Sequence, residues 1–360
     1  MPQDLPQPDP RCVAVIGMGQ MGLVCAGMLA GMGGGIGGAG TGIRGGAARR
    51  VLMWAHTAEE AGQVAQTRES KRLPGFRLPA GVRVCMRDEE LGEADLVVSA
   101  VPVQYTREVW MRVGGFVRRE AGVLSVAKGI ENGTLLRPTQ VIAEGIGDDP
   151  DGAPRPLGAL SGPTIAGELA KCLPATMVAA SDRAGFAHTV QRLFSTSWLR
   201  VYTHTDLLGV EIAGATKNVI AIAAGILDGL SAGFNAKSAL LARGLAEITR
   251  LGTAMGASAE TFFGIAGVGD LATTCFSPEG RNRSCGEALG RGERLEEFLA
   301  RSPSVVEGVA TTRSVRALAE KYRVEMPITD AVHAVLFERV DPIEAISRLM
   351  ARELKGERVG

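Results

Sequence analysis

Short apolar runs recur along the first half of the chain, separated by helical or turn-rich stretches. Most of these runs are apolar at nearly every position, which is typical of strands buried on both faces of a parallel sheet. Eight strands are therefore predicted, at residues 12–16, 51–54, 82–85, 96–100, 123–127, 157–160, 175–180 and 199–203. Residues 147–156 (GDDPDGAPRP) have the composition of a surface loop.

The pattern changes after about residue 205, where apolar positions recur with the period of a helix. Helices are predicted at residues 206–229, 236–255, 283–291, 311–321 and 329–337. A doubly wound α/β domain followed by an all-α domain accounts for both halves. The predicted division is a proline-rich, disordered lead-in at residues 1–11, an α/β domain at 12–204 and a helical domain at 205–350.

A glycine-rich segment, residues 31–46, fits neither pattern. Ten of its sixteen residues are glycine, which leaves too little side chain to fix a helix or a strand. It lies between the first predicted helix and the second strand, where connections are usually two to six residues long. We expect a flexible surface insertion that takes no part in the chemistry.

The composition argues against several classes of protein. The 39 basic and 39 acidic side chains cancel and aromatic residues make up 4% of the chain, so no nucleic-acid partner is expected. The six cysteines and four histidines lack the spacing of a metal site or a disulfide framework. The longest apolar stretch, residues 212–227, is short for a membrane span, and the N-terminus lacks signal-peptide features. We expect a soluble, cytoplasmic protein with reduced cysteines, no metal and no membrane span.

A glycine pattern marks a candidate cofactor site. The stretch CVAVIGMGQMG places Gly17, Gly19 and Gly22 in G-x-G-x-x-G spacing directly after the first predicted strand. This spacing permits a tight turn, close approach of the backbone to a pyrophosphate and close helix–sheet packing. The helix N-terminus then favours the negative charge. The pattern predicts a dinucleotide site, although a tight turn without a ligand has the same spacing.

The position that reads the cofactor's ribose is unusual. An NAD-selective site has Asp or Glu at the end of the second strand, but here that strand is followed by His56. Histidine does not repel a 2′-phosphate, which favours NADP, or the use of both cofactors, over strict selectivity for NAD. A solvated loop histidine is the alternative.

Two lysines stand out by their context. Lys128 follows the fifth predicted strand, at the sheet edge where doubly wound folds bind ligands, although a strand-end lysine also reaches solvent easily. Lys217 is the only charged residue within the apolar stretch 212–227, and Asn218 lies beside it. Because a buried ammonium needs a partner or a purpose, a functional role is favoured over a lysine that extends to the helix surface.

Three polar clusters complete the candidate site. They are SGPT at residues 161–164, GVGD at 267–270 and GRNR at 280–283, which opens a predicted helix. In the last cluster Arg281 could hold a phosphate in bidentate fashion, assisted by Asn282 and by the amides at the helix end. Ordinary turn and capping chemistry is the alternative for each cluster.

Together these stretches resemble the bacterial NAD(P)-dependent glycerol-3-phosphate dehydrogenases, from about residue 12 to 340 apart from the glycine-rich segment. The motifs that carry the resemblance are VIGMGQMG, LSGPTIAGELA, EIAGATKNVIAIAAGILDG, NAKSALLARGLAEITRLG, FFGIAGVGDLATTC, GRNRSCG and VVEGVATT. The resemblance implies a 6-phosphogluconate dehydrogenase-like fold. It also implies reversible reduction of dihydroxyacetone phosphate to sn-glycerol 3-phosphate with NADPH or NADH, feeding phospholipid synthesis.

The same resemblance assigns roles to single residues, with Lys217 as the catalytic acid/base. The matched substrate positions are Lys128, Gly162, Thr164, Lys217, Asp270, Gly280, Arg281 and Asn282. The matched cofactor positions are Gly17, Gly19, Gln20, Met21, Gly22, His56, Lys128, Ala166, Arg281, Val305 and Glu307. Gly280 stands where the family usually has serine, and Gln20-Met21 replaces a common serine–aromatic pair. These departures bear on substrate affinity and cofactor preference more than on the reaction.

Two other functions stay open. A related 3-hydroxyacid-type dehydrogenase has the same two-domain architecture, but the Arg281-Asn282 pair favours a phosphorylated substrate. A non-catalytic dinucleotide sensor needs none of Lys128, Lys217 and Asp270, whose joint presence argues against it. The oligomeric state is also open, with a homodimer as one alternative.

Overall fold

The structure is a computed structural model of the 360-residue chain, and it describes residues 9–33, 49–149, 151–152, 154–302, 304–353 and 356. The chain divides into two compact units. The first runs to Ala127 and resumes at Pro138–Leu207, and the second consists of Lys128–Arg137 and the residues from Leu208 on. Most of the glycine-rich segment (residues 34–46) and of the predicted lead-in (residues 1–8) lies outside the described residues.

The described residues of the first unit form an eight-stranded sheet and six α-helices. Its strands are β1 (Cys12–Ile16), β2 (Arg50–Trp54), β3 (Val82–Val84), β4 (Leu96–Ser99), β5 (Gly122–Ser125), β6 (Leu157–Ser161), β7 (Ala175–Ala180) and β8 (Leu199–His204). Its helices are α1 (Gln20–Leu29), α2 (Ala58–Thr67), α3 (Val103–Val113), α4 (Pro138–Gly145), α5 (Ala166–Ala170) and α6 (Ala184–Phe194), with 3₁₀ turns at Asp88–Glu93 and Gly114–Phe116. All eight predicted strands are confirmed, with ends within two residues of the predicted ones.

The order of the strands is that of a doubly wound fold. The sheet runs β3-β2-β1-β4-β5-β6-β7-β8, and its first six strands have the Rossmann order. β1 lies between β2 and β4 and is parallel to both. The strand order reverses at β1, and folds of this type bind ligands beside the carboxyl ends of the strands at that point. The predicted Rossmann-type fold is confirmed.

One strand departs from the expected parallel arrangement. β7 is antiparallel to β6, while β8 is parallel to β7. The only α-helix between β6 and β7 is α5, whose five residues span about 7 Å. A parallel crossover has to return along a whole strand, which for five residues is about 17 Å. Because α5 is too short for that return, β7 runs back along β6 instead.

The side chains of β1 show why its sequence is apolar throughout. Val13 and Val15 belong to one hydrophobic core, with residues of α1 and α6. The alternate positions, Cys12, Ala14 and Ile16, belong to a second core that includes residues of α3. Successive strand residues point to opposite faces, so a sheet that is covered on both faces needs an apolar side chain at every position.

The described residues of the second unit form helices and connecting segments, with no strand. Its helices are α7 (Leu207–Gly229), α8 (Gly233–Ala254), α9 (Ala259–Phe263), α10 (Asp270–Phe276), α11 (Arg281–Gly290), α12 (Leu295–Arg301), α13 (Glu307–Tyr322), α14 (Pro327–Phe337) and α15 (Pro342–Met350), with a π-helical turn at Ile265–Gly269. The expected all-α second half is confirmed. The helices α9, α10, α12 and α15 were not predicted, since each is short.

Residues 128–137 belong to this second unit, although the predicted boundary places them in the α/β domain. Hydrogen bonds to two helices explain the difference. The Asn218 side chain on α7 donates to the Lys128 carbonyl at 3.0 Å. The Ser314 hydroxyl on α13 donates to the Ile130 carbonyl at 2.9 Å. The segment therefore leaves the sheet after β5 and packs with the helices before the chain returns.

Helix α7 is the central element of the second unit. By length and composition alone it could cross a membrane, but 94% of its most apolar 18-residue window is buried inside the protein. Ile212, Ala213, Val219 and Ile222 are fully buried in the core of this unit. Packing within the protein thus explains why this stretch is apolar. Lys217 lies near the middle of α7 and is buried with it.

Candidate active site

The turn between β1 and α1 has the geometry of a dinucleotide-binding loop. Gly17 has φ +104°, and a Cβ built there would lie 2.8 Å from the Ala100 carbonyl oxygen at the end of β4. A Cβ on Gly22 would lie 1.9 Å from the Gly17 carbonyl oxygen. A Cβ on Gly19 would meet nothing within 4 Å. Packing therefore requires the first and third glycines, while the space over Gly19 and the first turn of α1 is open to a pyrophosphate.

The other predicted cofactor residues of this unit lie near that turn in sequence or at the end of β2. Gln20 and Met21 are the first residues of α1 and are half-buried. His56 is exposed, and its carbonyl accepts a hydrogen bond from Arg112 Nη1 at 2.8 Å. The Arg112 guanidinium lies 5.1 Å from the centre of the Trp54 ring and donates to Asp88 Oδ2 at 2.7 Å. The end of β2 has no carboxylate in its own sequence, but the Arg112–Asp88 ion pair lies beside it, and Asp88 Oδ1 accepts a hydrogen bond from Trp54 Nε1 at 2.8 Å.

The SGPT segment connects β6 to α5. Gly162 has φ +136°, a conformation that favours glycine, and its carbonyl accepts a hydrogen bond from the Thr164 hydroxyl at 3.1 Å. The Ser161 hydroxyl is buried and has no hydrogen-bond partner among the described residues. Ala166 is the first residue of α5 and is buried. The fixed turn leaves Thr164 half-buried at the start of the helix.

A buried charge cluster forms in the second unit around Asp270, the first residue of α10. Its Oδ1 accepts a hydrogen bond from Lys217 Nζ at 2.6 Å, and its Oδ2 accepts one from Lys128 Nζ at 2.7 Å. Lys217 also donates to the Thr274 hydroxyl, one turn further along α10. Asp270 is 1% exposed and Lys217 5%. The predicted lysines, 89 positions apart in the chain, thus share one carboxylate.

Burial controls the acidity of Lys217. Loss of hydration lowers the pKa of its ammonium from 10.5 to about 8, and the neighbouring positive charge of Lys128 acts in the same direction. The charge of Asp270 and its hydrogen bond oppose this change but do not cancel it. A pKa near 8 lets the amine both give and take a proton close to neutral pH, as a general acid/base must.

The predicted phosphate residues lie at the N-terminus of α11. Arg281 is exposed, and its Nη1 donates to the Val305 carbonyl at 3.1 Å. Asn282 is buried, and its Oδ1 accepts from the Gly308 backbone N–H at 2.9 Å. Gly280 is the N-cap residue and provides no side-chain cap. The N–H groups of the first turn of α11, together with the Arg281 guanidinium, form the arrangement that binds anions at helix ends.

Residue 280 has little space for a side chain. A Cβ on Gly280 would lie 3.2 Å from the Thr274 carbonyl oxygen and 3.3 Å from that of Ser277. Both contacts are tighter than ordinary van der Waals distance. Glycine at this position therefore fits the close turn between α10 and α11.

Glu307, the first residue of α13, completes the cluster. Burial raises the pKa of its carboxyl group, while the positive charges of Arg281, Lys128 and Lys217 lower it. The net result is a raised pKa, because the effect of burial outweighs that of the three positive charges. Val305, two residues earlier, is exposed.

Comparisons with known proteins identify the family. Residues 12–187 match the sequence model of the NAD-dependent glycerol-3-phosphate dehydrogenase N-terminus, and residues 206–347 match that of the C-terminus. The chain belongs to this family.

Individual members are similar over nearly the whole chain. Glycerol-3-phosphate dehydrogenase [NAD(P)+] 1 of Salinibacter ruber is 46% identical over 313 residues, which is 86% of this chain and 91% of the relative. Glycerol-3-phosphate dehydrogenase [NAD(P)+] 2 of Mycobacterium bovis is 44% identical over 347 residues, 96% and 98% of the two chains. The crystal structure of glycerol-3-phosphate dehydrogenase from Coxiella burnetii has a TM-score of 0.85 at 32% identity and covers 95% of this chain and 99% of its own. The resemblance inferred from the motifs is confirmed.

The predicted site residues of the family divide between the two units. The second unit carries Lys128, Lys217, Asp270, Gly280, Arg281, Asn282, Val305 and Glu307, of which the first three are in hydrogen-bond contact through Asp270. The first unit carries Gly17, Gly19, Gln20, Met21, Gly22, His56, Gly162, Thr164 and Ala166. Their individual roles stay predictions.

Sequence reasoning missed two contributors. The sequence analysis assigns no role to Thr274, yet this residue contacts Lys217; its position four residues after Asp270, on one helix face, was the available signal. Arg112 contacts the end of β2 from α3, 56 positions after His56, and no sequence pattern joins them. Among the described residues, no three His, Cys, Asp or Glu side chains cluster as a metal site.

Proposed function

We propose that this chain catalyses the reversible reduction of dihydroxyacetone phosphate to sn-glycerol 3-phosphate with NADPH or NADH. The observation that carries the proposal is Lys217, a buried amine with a pKa of about 8, held by Asp270 in a chain of the glycerol-3-phosphate dehydrogenase family. A hydroxyl–carbonyl interconversion needs a group that exchanges one proton with the substrate oxygen.

The cofactor fits the first unit, and in the proposal Gly17, Gly19 and the first turn of α1 hold its pyrophosphate. When bound, the nicotinamide ring supplies the hydride that reduces the C2 carbonyl carbon, or accepts it in the reverse direction. At the end of β2, the absence of a carboxylate on residue 56 and the presence of the Arg112 guanidinium support the use of NADPH as well as NADH.

Lys217 is proposed to move the proton. In the reducing direction its ammonium protonates the C2 oxygen, and in the oxidising direction its neutral amine removes that proton. Asp270 and Thr274 accept hydrogen bonds from Nζ and so hold the amine in one orientation. Lys128, on the other oxygen of Asp270, supplies a second positive charge that favours the neutral form of Lys217.

The substrate phosphate is proposed to bind at the N-terminus of α11. Arg281 supplies a guanidinium that can form two parallel hydrogen bonds to a phosphate, and Asn282 is fixed beside it by the Gly308 N–H. Gly162 and Thr164 of the first unit are further proposed substrate positions. A 3-hydroxyacid carries a carboxylate that can also bind at an anion site, so the family to which the chain belongs is what makes a related 3-hydroxyacid-type dehydrogenase the weaker alternative.

The wider role of the chain is also a proposal. Glycerol 3-phosphate is a precursor of glycerophospholipids, so we propose that the enzyme supplies lipid synthesis in the cytoplasm. A homodimer is the proposed assembly. All six cysteines are buried and unpaired, which fits a reducing compartment.

The decisive experiment follows oxidation of NADH and of NADPH by the purified protein with dihydroxyacetone phosphate. We expect turnover with this substrate and a much lower kcat/KM with dihydroxyacetone, which lacks the phosphate. A 3-oxo acid serves as the competing substrate. Preference for the 3-oxo acid would favour the alternative dehydrogenase, and cofactor binding without turnover of any substrate would favour a sensor.

A further inference from the structure

A second charge cluster lies outside the proposed site, around Asp228 near the end of α7. Its two carboxylate oxygens accept hydrogen bonds from Lys237 Nζ at 2.8 and 2.7 Å. Oδ2 also accepts one from Arg283 Nε at 2.7 Å. Lys237 is 6% exposed, so this ammonium depends on Asp228 for its charge partner.

These two cations belong to helices that carry the proposed site. Arg283 lies in the first turn of α11, two residues after Arg281. Lys237, on α8, places its Nζ 4.9 Å from the ring centre of Phe276, the last residue of α10. The carboxylate of Asp228 therefore connects α7 directly to α11 through Arg283. It also connects α7 to α10, the helix that begins with Asp270, through Lys237.

The backbones of α7 and α11 are in close contact beside this cluster. A Cβ on Gly225 of α7 would lie 1.9 Å from the Arg283 carbonyl oxygen, and a Cβ on Gly286 of α11 would lie 1.9 Å from that of Ile222. The two helices therefore touch without intervening side chains. Contact at this distance leaves sliding or rotation as the remaining freedom of α11, and the Asp228–Arg283 hydrogen bond restricts both.

We propose that Asp228 is a positioning residue for the substrate phosphate. By holding Arg283 against α7, it fixes the first turn of α11 and hence the direction in which Arg281 and Asn282 face the phosphate. Asp228 itself lies eleven residues after Lys217 on α7, about 16 Å along the helix, so it does not touch the reacting atoms. This inference rests on the proposed function, which places the phosphate at α11.

Loss of the Asp228 charge has a specific consequence. Asp228→Asn keeps the size of the side chain but leaves Lys237 and Arg283 without their shared anion. Arg283 then retains Glu287, 3.3 Å away on its own helix, which ties it to α11 alone. The first turn of α11 keeps its backbone contact with α7 but loses the hydrogen bond that fixes its orientation there, so binding of the phosphate weakens while proton transfer at Lys217 is unaffected.

The test compares two substrates in Asp228→Asn. We expect KM for dihydroxyacetone phosphate to rise five- to twentyfold with kcat within threefold of the unmodified enzyme. Inorganic phosphate, used as a competitive inhibitor, should bind more weakly by a similar factor. The kcat/KM for dihydroxyacetone should stay within twofold, and Asp228→Glu should recover part of the KM change because it restores the charge.

A matched control is Glu293→Gln, which removes another carboxylate–arginine pair of this unit. Glu293 contacts Arg301 at 2.7 Å and has a side-chain exposure of 27%, against 22% for Asp228. It lies outside the proposed site, so its KM should not change. If Asp228→Asn does not fold, Arg283→Gln breaks the same link while leaving the Asp228–Lys237 pair, and the same KM increase is expected.

The outcomes separate this inference from the proposed function. No turnover of dihydroxyacetone phosphate by the unmodified enzyme would overturn the proposed function. If that enzyme is active and Arg281→Ala weakens phosphate binding, an unchanged KM in both Asp228→Asn and Arg283→Gln overturns the positioning role alone. Equal losses with both substrates, or a fall in kcat without a change in KM, would also overturn it.

Discussion

Lys217 shows how strongly the surroundings of one residue set its chemistry. In water a lysine is almost fully protonated at neutral pH, whereas burial in α7 brings its pKa to about 8. The neighbouring Asp270 prevents a larger decrease, which keeps the charged and neutral forms both accessible.

Replacement of the Lys217 amine should remove proton transfer and leave cofactor binding intact. Positioned acid/base groups contribute about 10²–10⁴-fold, so Lys217→Ala should lower kcat by that order. Lys217→Arg should restore little, because a guanidinium stays protonated and cannot accept the proton. Steady-state kinetics and NAD(P)H titration measure the two effects, with Lys321→Ala as an exposed-lysine control. A Lys217→Ala variant with more than a tenth of the original kcat would point to another proton carrier, of which Lys128 is the first to test.

The pH dependence should have opposite signs in the two directions. Reduction needs protonated Lys217, so its rate should fall as the pH rises through about 8. Oxidation needs the neutral amine, so its rate should fall as the pH drops through the same value. The charge of Lys128 lowers this pKa, and Lys128→Met should therefore move the inflection to higher pH. Initial rates in both directions across pH 6–10 test this, and parallel profiles would contradict the role of Lys217.

Loss of the Arg281 guanidinium should affect kcat/KM mainly for a substrate that carries a phosphate. A charge-assisted hydrogen bond is worth about 1.5–3 kcal/mol, so Arg281→Ala should lower kcat/KM for dihydroxyacetone phosphate at least tenfold. Dihydroxyacetone should be affected much less. Comparing kcat/KM for the two substrates checks the assignment, and equal losses on both would place the phosphate elsewhere.

At the scale of helices, close packing of α7 and α11 depends on glycine. A methyl group at residue 286 would lie 1.9 Å from the Ile222 carbonyl oxygen, and the two backbones would have to separate. Overpacking of this kind costs about 1–3 kcal/mol, so Gly286→Ala should lower the free energy of unfolding by that amount or more.

The control for Gly286→Ala is Gly62→Ala in the middle of α2. A Cβ there would meet nothing within 4 Å, so alanine should raise the free energy of unfolding by about 0.4–1 kcal/mol through its better helix propensity. Chemical denaturation measures the free energy of unfolding of both variants, and its change should have opposite signs in the two if local packing decides the outcome. The same sign for both would contradict the close contact between the helices.

At the scale of the whole molecule, a buried carboxyl group links stability to pH. Glu247 on α8 is 2% exposed and accepts hydrogen bonds from the Ile328 and Thr329 backbone N–H groups at 2.7 and 3.3 Å, at the N-terminus of α14. Burial raises the pKa of this group from 4.5 to about 7, although both hydrogen bonds oppose the change. The folded protein therefore binds the Glu247 proton more tightly than the unfolded chain does.

The higher pKa of Glu247 in the folded protein determines how stability changes with pH. The contribution of protonated Glu247 is fully present below pH 4.5 and is lost as the pH rises through about 7, a change of roughly 3 kcal/mol. Glu247→Gln does not titrate, so the loss of stability between pH 5.5 and 8.5 should be smaller in this variant by roughly 2 kcal/mol, since part of the contribution is already lost at pH 5.5. Urea unfolding at the two pH values measures it, and an equal pH dependence in both proteins would exclude Glu247 as the cause.

Local patterns in the sequence were sufficient for much of the fold. Fully apolar strands such as β1 are readable because both faces of the sheet are covered, and the long helices α7 and α8 are readable because their periodicity extends over many turns. The turn at Gly17 and Gly22 could also be read directly, since its chemistry is contained in six consecutive residues. In each case the information lies within one element.

What only the tertiary structure decided involves residues that are far apart in the chain. The sequence singled out Lys128, Lys217 and Asp270 separately. That both lysines contact the Asp270 carboxylate depends on where residues 128–137 and α10 pack. The contact of Arg112 with the end of β2 and the Asp228–Arg283 pair likewise join separate elements. Hydrophobic periodicity specifies which face of an element is buried and not which element covers it, and the reversed direction of β7 shows the same limit.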